Sequence, residues 1–417
     1  MKTLSLFAGA LALILAAGCR ITLNQAGAFS PVPPGLNLTL PETVYTAPGL
    51  ETNIYFENVI DSATPAAYAV EVKCERGTHG NSRWFWTPDV KDAGKEFVLE
   101  LRLFNDWGMI ASKKCKVVVA KEAADRKEKI TLALLGDSGV NCRYPTHLLN
   151  VMRERGYANY TPVGKHSGSG KPVVPGGIAH DGYGGFSWQS FLERWVYSTG
   201  ELPQAQNEAE KEQMRALGVR NIPQSQMYRM RSPLLKVVNG KKVLDIPGWF
   251  GAINKGKAPD FIVIQLGGND VFSTRAEKLD ERIKYVMGNA RKLLAELRKH
   301  APNAKIGVAS GVCGCAQDGF GANYNCYQSK YQYRRNILRY TREIAALVKE
   351  LNDPKLSFIP LHHNIDPENS FIVGSFPVHA RSKKKVVRLR NALHPSITGG
   401  YQLGDSVACW LLKQLEK

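Results

Sequence analysis

Four short, predominantly apolar runs govern what the C-terminal two-thirds of this chain can become. They are Ile130–Leu135, Phe261–Leu266, Ile306–Ser310 and Ser357–Leu361. None alternates polar with apolar residues, so each calls for burial on both faces. Segments of helical period separate them: Thr146–Arg155, Lys278–His300 and Arg334–Leu351, then a last helix marked by Leu403, Val407, Trp410 and Leu411. Strands apolar on both sides belong inside a parallel sheet covered by helices. The pattern predicts an α/β domain of three layers, α/β/α, over residues 128–416.

A chain of 417 residues exceeds what one core usually holds, so a second domain is expected. Residues 41–120 supply it. Alternate residues of Tyr68-Ala-Val70-Glu-Val72-Lys-Cys74 would face a core, as would Trp84 and Trp86, Phe97, Leu99 and Leu101, and Cys115, Val117 and Val119. Asn105-Asp106-Trp107-Gly108 reads as a hairpin turn. These runs predict a small all-β sandwich, and Asp92-Ala93-Gly94 ahead of Phe97 resembles the strand-opening corner of immunoglobulin-like modules. Cys74 and Cys115 are compatible with an inward disulfide across it. Within the later domain, residues 197–250 form a polar insert longer than a crossover needs. It reads as a lid, a substrate platform or a surface decoration. Inside it, Leu234–Val238, Asn239-Gly240 and Lys241–Asp245 predict a hairpin with a type I′ turn.

The apolar run Leu4–Ala17, preceded by Lys2, is too short to span a bilayer and reads as a secretory signal. Leu15-Ala16-Ala17-Gly18-Cys19 resembles a bacterial lipobox. That resemblance implies a signal peptide over 1–19, lipidation of Cys19 and membrane anchoring through a tether, 20–40. Cleavage after Ala26-Gly27-Ala28 is the alternative; both lead to export. Eight Cys less a lipidated Cys19 leaves an odd number, so at least one thiol is unpaired within the chain. Cys313-Gly-Cys315 with Cys326 has no His at zinc-finger spacing, which favours thiols or a disulfide over a metal.

Four polar blocks punctuate the α/β pattern. Gly136-Asp137-Ser138 follows the first strand, and Gly184-Gly185-Phe186-Ser187 lies in a glycine-rich stretch. Gly267-Gly268-Asn269-Asp270 follows the second long strand, and His394-Pro395-Ser396 precedes the last helix. Together they offer a nucleophile, a backbone donor, a side-chain amide donor and a base, the parts of an acyl-transfer site. The set resembles the SGNH (GDSL) hydrolase family over about 128–416. The resemblance implies a flavodoxin-like fold and a serine esterase needing neither metal nor organic cofactor. It implies Ser138 as nucleophile, His394 as base, and an oxyanion hole from the Ser138 and Gly185 N–H groups, Gly184 being the alternative, with the Asn269 amide. Asp137 then serves the turn by hydrogen bonding.

One position departs from the family pattern. The acid expected three residues before the histidine is Asn391. Three readings stay open: Asn391 orients His394 in a Ser–His dyad, another carboxylate such as Asp366 substitutes, or turnover is weak or absent. Arg381, Lys383, Lys384, Lys385, Arg388 and Arg390 run directly into this block. With a formal net charge of +18, they suit an anionic partner. Arg388, Arg390 and Trp188 are candidate substrate contacts. Family analogy, export and charge point to an O-acylated, most simply O-acetylated, polysaccharide or oligosaccharide. A lipid esterase or thioesterase and a glycan-binding lipoprotein without turnover are the rivals. No nucleic-acid-binding motif is present.

Overall fold

A computed structural model describes residues 33, 35–121, 126–141, 144–167, 171–172 (backbone), 178–196, 230–239, 241–324 and 328–416. The expectations for the leader with Cys19, for Cys326 and for residues 197–229 of the insert lie outside these residues.

The apolar runs become strands Ile130–Gly136, Phe261–Gln265, Lys305–Ala309 and Leu356–Ile359, and Tyr160–Val163 joins them. All pair in parallel. Across the sheet the order is 160–163, 130–136, 261–265, 305–309, 356–359. Numbered along the chain this is 2-1-3-4-5, the flavodoxin-like order. Every residue of Ile130–Gly136 and Phe261–Gln265 is buried, in keeping with their largely apolar character. Helix Tyr144–Glu154 packs with Ile397–Leu415, and Leu279–His300 packs with Lys330–Glu350, forming the outer layers. In Lys330–Glu350 the buried face is Tyr333, Ile337, Tyr340, Ile344 and Leu347, at alternating spacings of four and three. Ser329 caps its start by accepting from the Gln332 N–H. Each of those large side chains contributes roughly 1.5–3 kcal/mol by burial.

A smaller, largely antiparallel β region precedes this domain. One sheet runs 43–46, 108–119, 96–105, 69–73, and the other 52–55, 83–86, 78–79. Trp84, Phe97, Leu99, Leu101, Val117 and Val119 fill the core between them. The Cys74–Cys115 disulfide does not form; both thiols are free. Cys74 directly follows the sheet strand Ala69–Lys73 and Cys115 lies in Gly108–Val119, with strand Glu96–Asn105 between the two. Two strand spacings separate them by about 9–10 Å, beyond the ~7 Å a disulfide can bridge.

The β region is fastened to the turn that follows the last sheet strand. Asn364 Oδ1 accepts from the Asn53 N–H at 2.7 Å and its amide at 2.9 Å, and the Asn58 amide donates to Ile365 O at 2.7 Å. His362 Nε2 meets Thr39 O at 2.9 Å. Burial pulls His362 down to about 3 and His363 to about 4, so both are neutral at ordinary pH. These bonds set the start of the segment that carries His394.

Strands Leu235–Val238 and Lys241–Leu244 form the expected hairpin, with Asn239 in the left-handed region at φ 51°. The helix Ile246–Asn254 follows, capped by Asp245, and buries Ile246, Trp249 and Phe250. Leu234, Leu235, Ile246, Trp249 and Phe250 thus anchor this stretch in the main core, while most of the hairpin between them is exposed. Among the described residues no helix is long and apolar enough to cross a membrane.

Candidate active site

The chain leaves Ile130–Gly136 toward one side of the sheet and Phe261–Gln265 lies on the other. A crevice therefore opens at their carboxyl ends, where such sheets take ligands. Ser138 stands there, two residues past Gly136, which is paired with Gln265. Asp137 holds the turn, its Oδ1 accepting from the Gly139 N–H at 2.7 Å. Gly136 also pairs with Gly182, and the Tyr183 N–H donates to Gly136 O at 2.9 Å, which carries the glycine block to the same edge. Phe186 N–H closes a turn onto Tyr183 O at 3.1 Å with Gly185 at φ +76°. That is the third-residue conformation of a type II turn, which favours glycine. Gly184 and Gly185 are exposed, and a Cβ on either would meet nothing within 4 Å. Among the described residues, neither the Ser138 nor the Gly185 N–H is used in a hydrogen bond.

Asn269 ties three blocks together. Its Nδ2 donates to Phe186 O at 2.9 Å and to Asp137 Oδ2 at 3.3 Å. The neighbouring Asp270 Oδ2 accepts from the Trp188 N–H at 3.3 Å. Gly267, at φ +109°, lets the chain turn here; a Cβ would come within 2.2 Å of the Tyr340 ring. Asp137, Ser138, Gly268, Asn269, Leu393 and Pro395 line one small cavity of about 40 Å³. Leu393 and Pro395 flank His394, so all four blocks converge on this edge. Burial, with the Asp270 carboxylate adding to it, pushes Asp137 up to about 7; burial pushes Asp270 to about 6. Burial therefore makes both carboxyls weaker acids than exposed aspartates, and their negative charge diminishes as the pH falls through neutrality.

His394 is half-buried, and burial draws its imidazole below the usual value. Asn391 does not orient the ring. Its Oδ1 accepts from the Leu393 N–H at 3.0 Å and the His394 N–H at 2.8 Å. A side-chain oxygen two and three residues upstream reaches the backbone of this turn first. Among the described residues the ring has no hydrogen-bond partner. Asp366 does not substitute either: it accepts from the Glu368 and Asn369 N–H groups, the Asn369 amide and Tyr55 OH.

Trp188 is not a substrate contact. It is fully buried and donates from Nε1 to Tyr340 OH at 2.9 Å, as the first residue of helix Trp188–Glu193. Arg388 and Arg390 are exposed, at the end of a hairpin leading to His394. Sequence reasoning missed Gln265 and Tyr333, which also line the cavity. A glutamine closing an otherwise apolar strand was the available signal for the first. It also missed the buried network behind the glycine turn, in which Asp181 accepts from Tyr183 OH at 2.8 Å and Trp249 Nε1 at 2.9 Å, and His166 Nε2 meets Tyr183 OH at 2.9 Å. Among the described residues no cluster of His, Cys, Asp or Glu could hold a metal ion.

No family model matches the chain. A multidomain esterase of Ruminococcus flavefaciens is 25% identical over 153 residues, 33% of this chain; the chain spans only 18% of that relative's length. Among solved structures, an acetyl esterase mutant with acetate ion aligns with TM-score 0.39 and 13% identity, over 69% of this chain and 98% of that one. A family 3 carbohydrate esterase from Talaromyces cellulolyticus gives the same values. One from Clostridium thermocellum gives 0.38 and 15%, over 69% and 99%.

Proposed function

We propose that this protein is a serine ester hydrolase of the SGNH type, acting on short-chain, most simply acetyl, esters of carbohydrate. The carrying observation is the convergence of Ser138, Asn269 and the residues flanking His394 on one small cavity at the switch point of the sheet. In this reading Ser138 Oγ attacks the ester carbonyl carbon while His394 takes its proton. The N–H groups of Ser138 and Gly185 and the Asn269 amide stabilise the oxyanion. Collapse breaks the bond to the alkoxy oxygen, which leaves with the proton from His394. Water, deprotonated by the same imidazole, then attacks the acyl-serine and frees the acid and Ser138.

The cavity volume supports a two-carbon acyl group over a fatty chain, which would need several times that space. The Ruminococcus relative supports ester cleavage. From the Leu15–Cys19 motif we infer export and a lipid anchor at Cys19, and from the two packed sheets an immunoglobulin-like module between anchor and enzyme. The deciding measurement is hydrolysis of an aryl ester series with acyl chains from acetyl to decanoyl, alongside acetylated and deacetylated polysaccharides. The expected result is turnover falling steeply beyond the shortest chains. Faster turnover of decanoyl than of acetyl ester would favour a lipid esterase, and none on any ester would leave a binding protein.

The ring of His394, lowered by burial and lacking a carboxylate, has a further consequence. Only neutral imidazole can take the serine proton, so kcat/KM should rise with pH through an apparent value below the ordinary 6.5 and level off by neutrality. In Asn391→Asp a negative charge near the ring favours imidazolium, so this acidic limb should move to higher pH. The measurement is the pH profile of both proteins on aryl acetate. Superimposable profiles would show that position 391 is electrostatically silent toward the base.

A further inference from the structure

From Asn369 to Gly404 the chain holds six basic residues and not one Asp or Glu. Ester cleavage on its own requires nothing of this kind. The six, Arg381, Lys383, Lys384, Lys385, Arg388 and Arg390, are all exposed. Among the described residues none of them forms an ion pair. They ride on one hairpin, in which Val373–Pro377 pairs antiparallel with Lys385–Leu389. Cross-strand partners are Gly374 with Arg388 and Phe376 with Val386, and alternation puts Arg390 on that same face.

Gly374 gives this face its shape. A Cβ there would lie 2.9 Å from Arg390 Cδ and 3.1 Å from the Phe376 ring. The arginine stem and the ring therefore lie side by side over a residue without a side chain. Together with Arg388 they make a shallow platform of one aromatic ring and two guanidinium groups. An aromatic face can pack against the C–H face of a sugar ring, and a guanidinium binds carboxylate or sulfate in a bidentate manner. Five residues of strand extend about 16 Å, so the cations are strung along a line and suit a repeating polyanion better than a single phosphate.

The base of the hairpin is fixed to the cavity. Arg390 N–H donates to Ile372 O at 2.9 Å, Phe371 bridges to Pro395, and Cys315 N–H donates to Ala392 O at 3.0 Å. Arg390 precedes His394 by four residues, which cannot separate their Cα atoms by more than about 14 Å. A polymer lying on the platform would pass within reach of Ser138.

We propose that this hairpin is a binding arm for an acidic polysaccharide, bearing uronate or sulfate groups, and that it presents the esterified stretch to the Ser138 cavity. The presentation rests on the ester-hydrolase reading above; the binding does not. The test uses the full chain carrying Ser138→Ala, so that nothing is turned over, with calorimetric titration of polygalacturonate, dextran sulfate and neutral dextran. Both polyanions should bind and neutral dextran should not, with affinity falling steeply as salt shortens the screening length. Arg388→Gln with Arg390→Gln, and separately Lys383→Ala with Lys384→Ala and Lys385→Ala, should each weaken binding about tenfold or more. Because all these side chains are exposed, melting temperatures should stay close to the parent's, which makes the loss a binding effect.

On acetylated polygalacturonate, kcat/KM of the arginine variant in the Ser138 background should fall about tenfold further than on neutral aryl acetate. Undiminished polyanion binding in both variants overturns the proposal, as does equal binding of neutral dextran. Capture by phosphatidylglycerol vesicles with no binding to either polysaccharide overturns it too. Ester turnover with hairpin-independent binding removes the arm and leaves the hydrolase. Hairpin-dependent binding without turnover of any ester removes the hydrolase and leaves the arm.

Discussion

Ser138→Ala is expected to lower kcat on aryl acetate by about 10⁶-fold, and His394→Ala by a comparable factor. The two groups act as one device, because the serine is a weak nucleophile until the imidazole takes its proton. The double variant should therefore be scarcely slower than either single one. What remains is the rate supplied by the cavity and its donors alone, which serine hydrolases retain when the nucleophile is gone. Stability should be little affected by the first substitution, since Ser138 is only partly buried and its hydroxyl makes no hydrogen bond among the described residues. Steady-state rates with thermal melts on the same preparations check this. A Ser138→Ala protein retaining more than about a hundredth of the parent rate, far above the residue expected for a nucleophile knock-out, would remove Ser138 from the role.

Much of this was legible in the residues, for identifiable reasons. Strands such as Phe261–Gln265, buried on both faces, are apolar along almost their whole length, so they stand out between amphipathic helices. Tyr160–Val163 did not stand out because only Tyr160 and Val163 are buried on this edge strand, which leaves no run to read. The Asn239 turn was visible because few residues accept a positive φ. The Cys74–Cys115 pairing failed since alternation tells which face a residue takes but not which strand intervenes, and Glu96–Asn105 intervenes.

The site divides along the same line. Ser138, Gly185 and Asn269 sit at strand ends and a tight turn, where chemistry and local backbone are coupled, and short motifs mark them. Trp188 stood beside such a motif, yet its indole turns into the core to meet Tyr340, a residue far away in the chain. The role of Asn391 was equally hidden. Whether its oxygen reaches the ring or the backbone depends on the geometry of the turn, and the Leu393 and His394 N–H groups take it.

Asn269→Ala should lower kcat by about 10²–10³-fold, the usual cost of one oxyanion donor. The resting geometry adds a condition. Both protons of this amide are engaged, one firmly with Phe186 O at 2.9 Å and one loosely with Asp137 Oδ2 at 3.3 Å. An oxyanion beside Ser138 would draw the second proton, giving up the longer, weaker bond while the first keeps the amide aimed. The alanine variant also leaves Phe186 O and Asp137 without that partner, so a loss of about 1–3 kcal/mol of stability is expected beside the kinetic effect. The two must be told apart. Asn269→Asp keeps the size of the side chain but turns a donor into an acceptor, and it sets a third carboxyl beside Asp137 and Asp270. Its kcat should fall at least as far as that of the alanine variant. Rates are to be measured well below the melting temperature of each variant, with the folded fraction fixed by circular dichroism. A purely structural Asn269 would give folded protein with near-parental kcat. A donor to the transition state gives folded protein with kcat and kcat/KM reduced together and KM little changed.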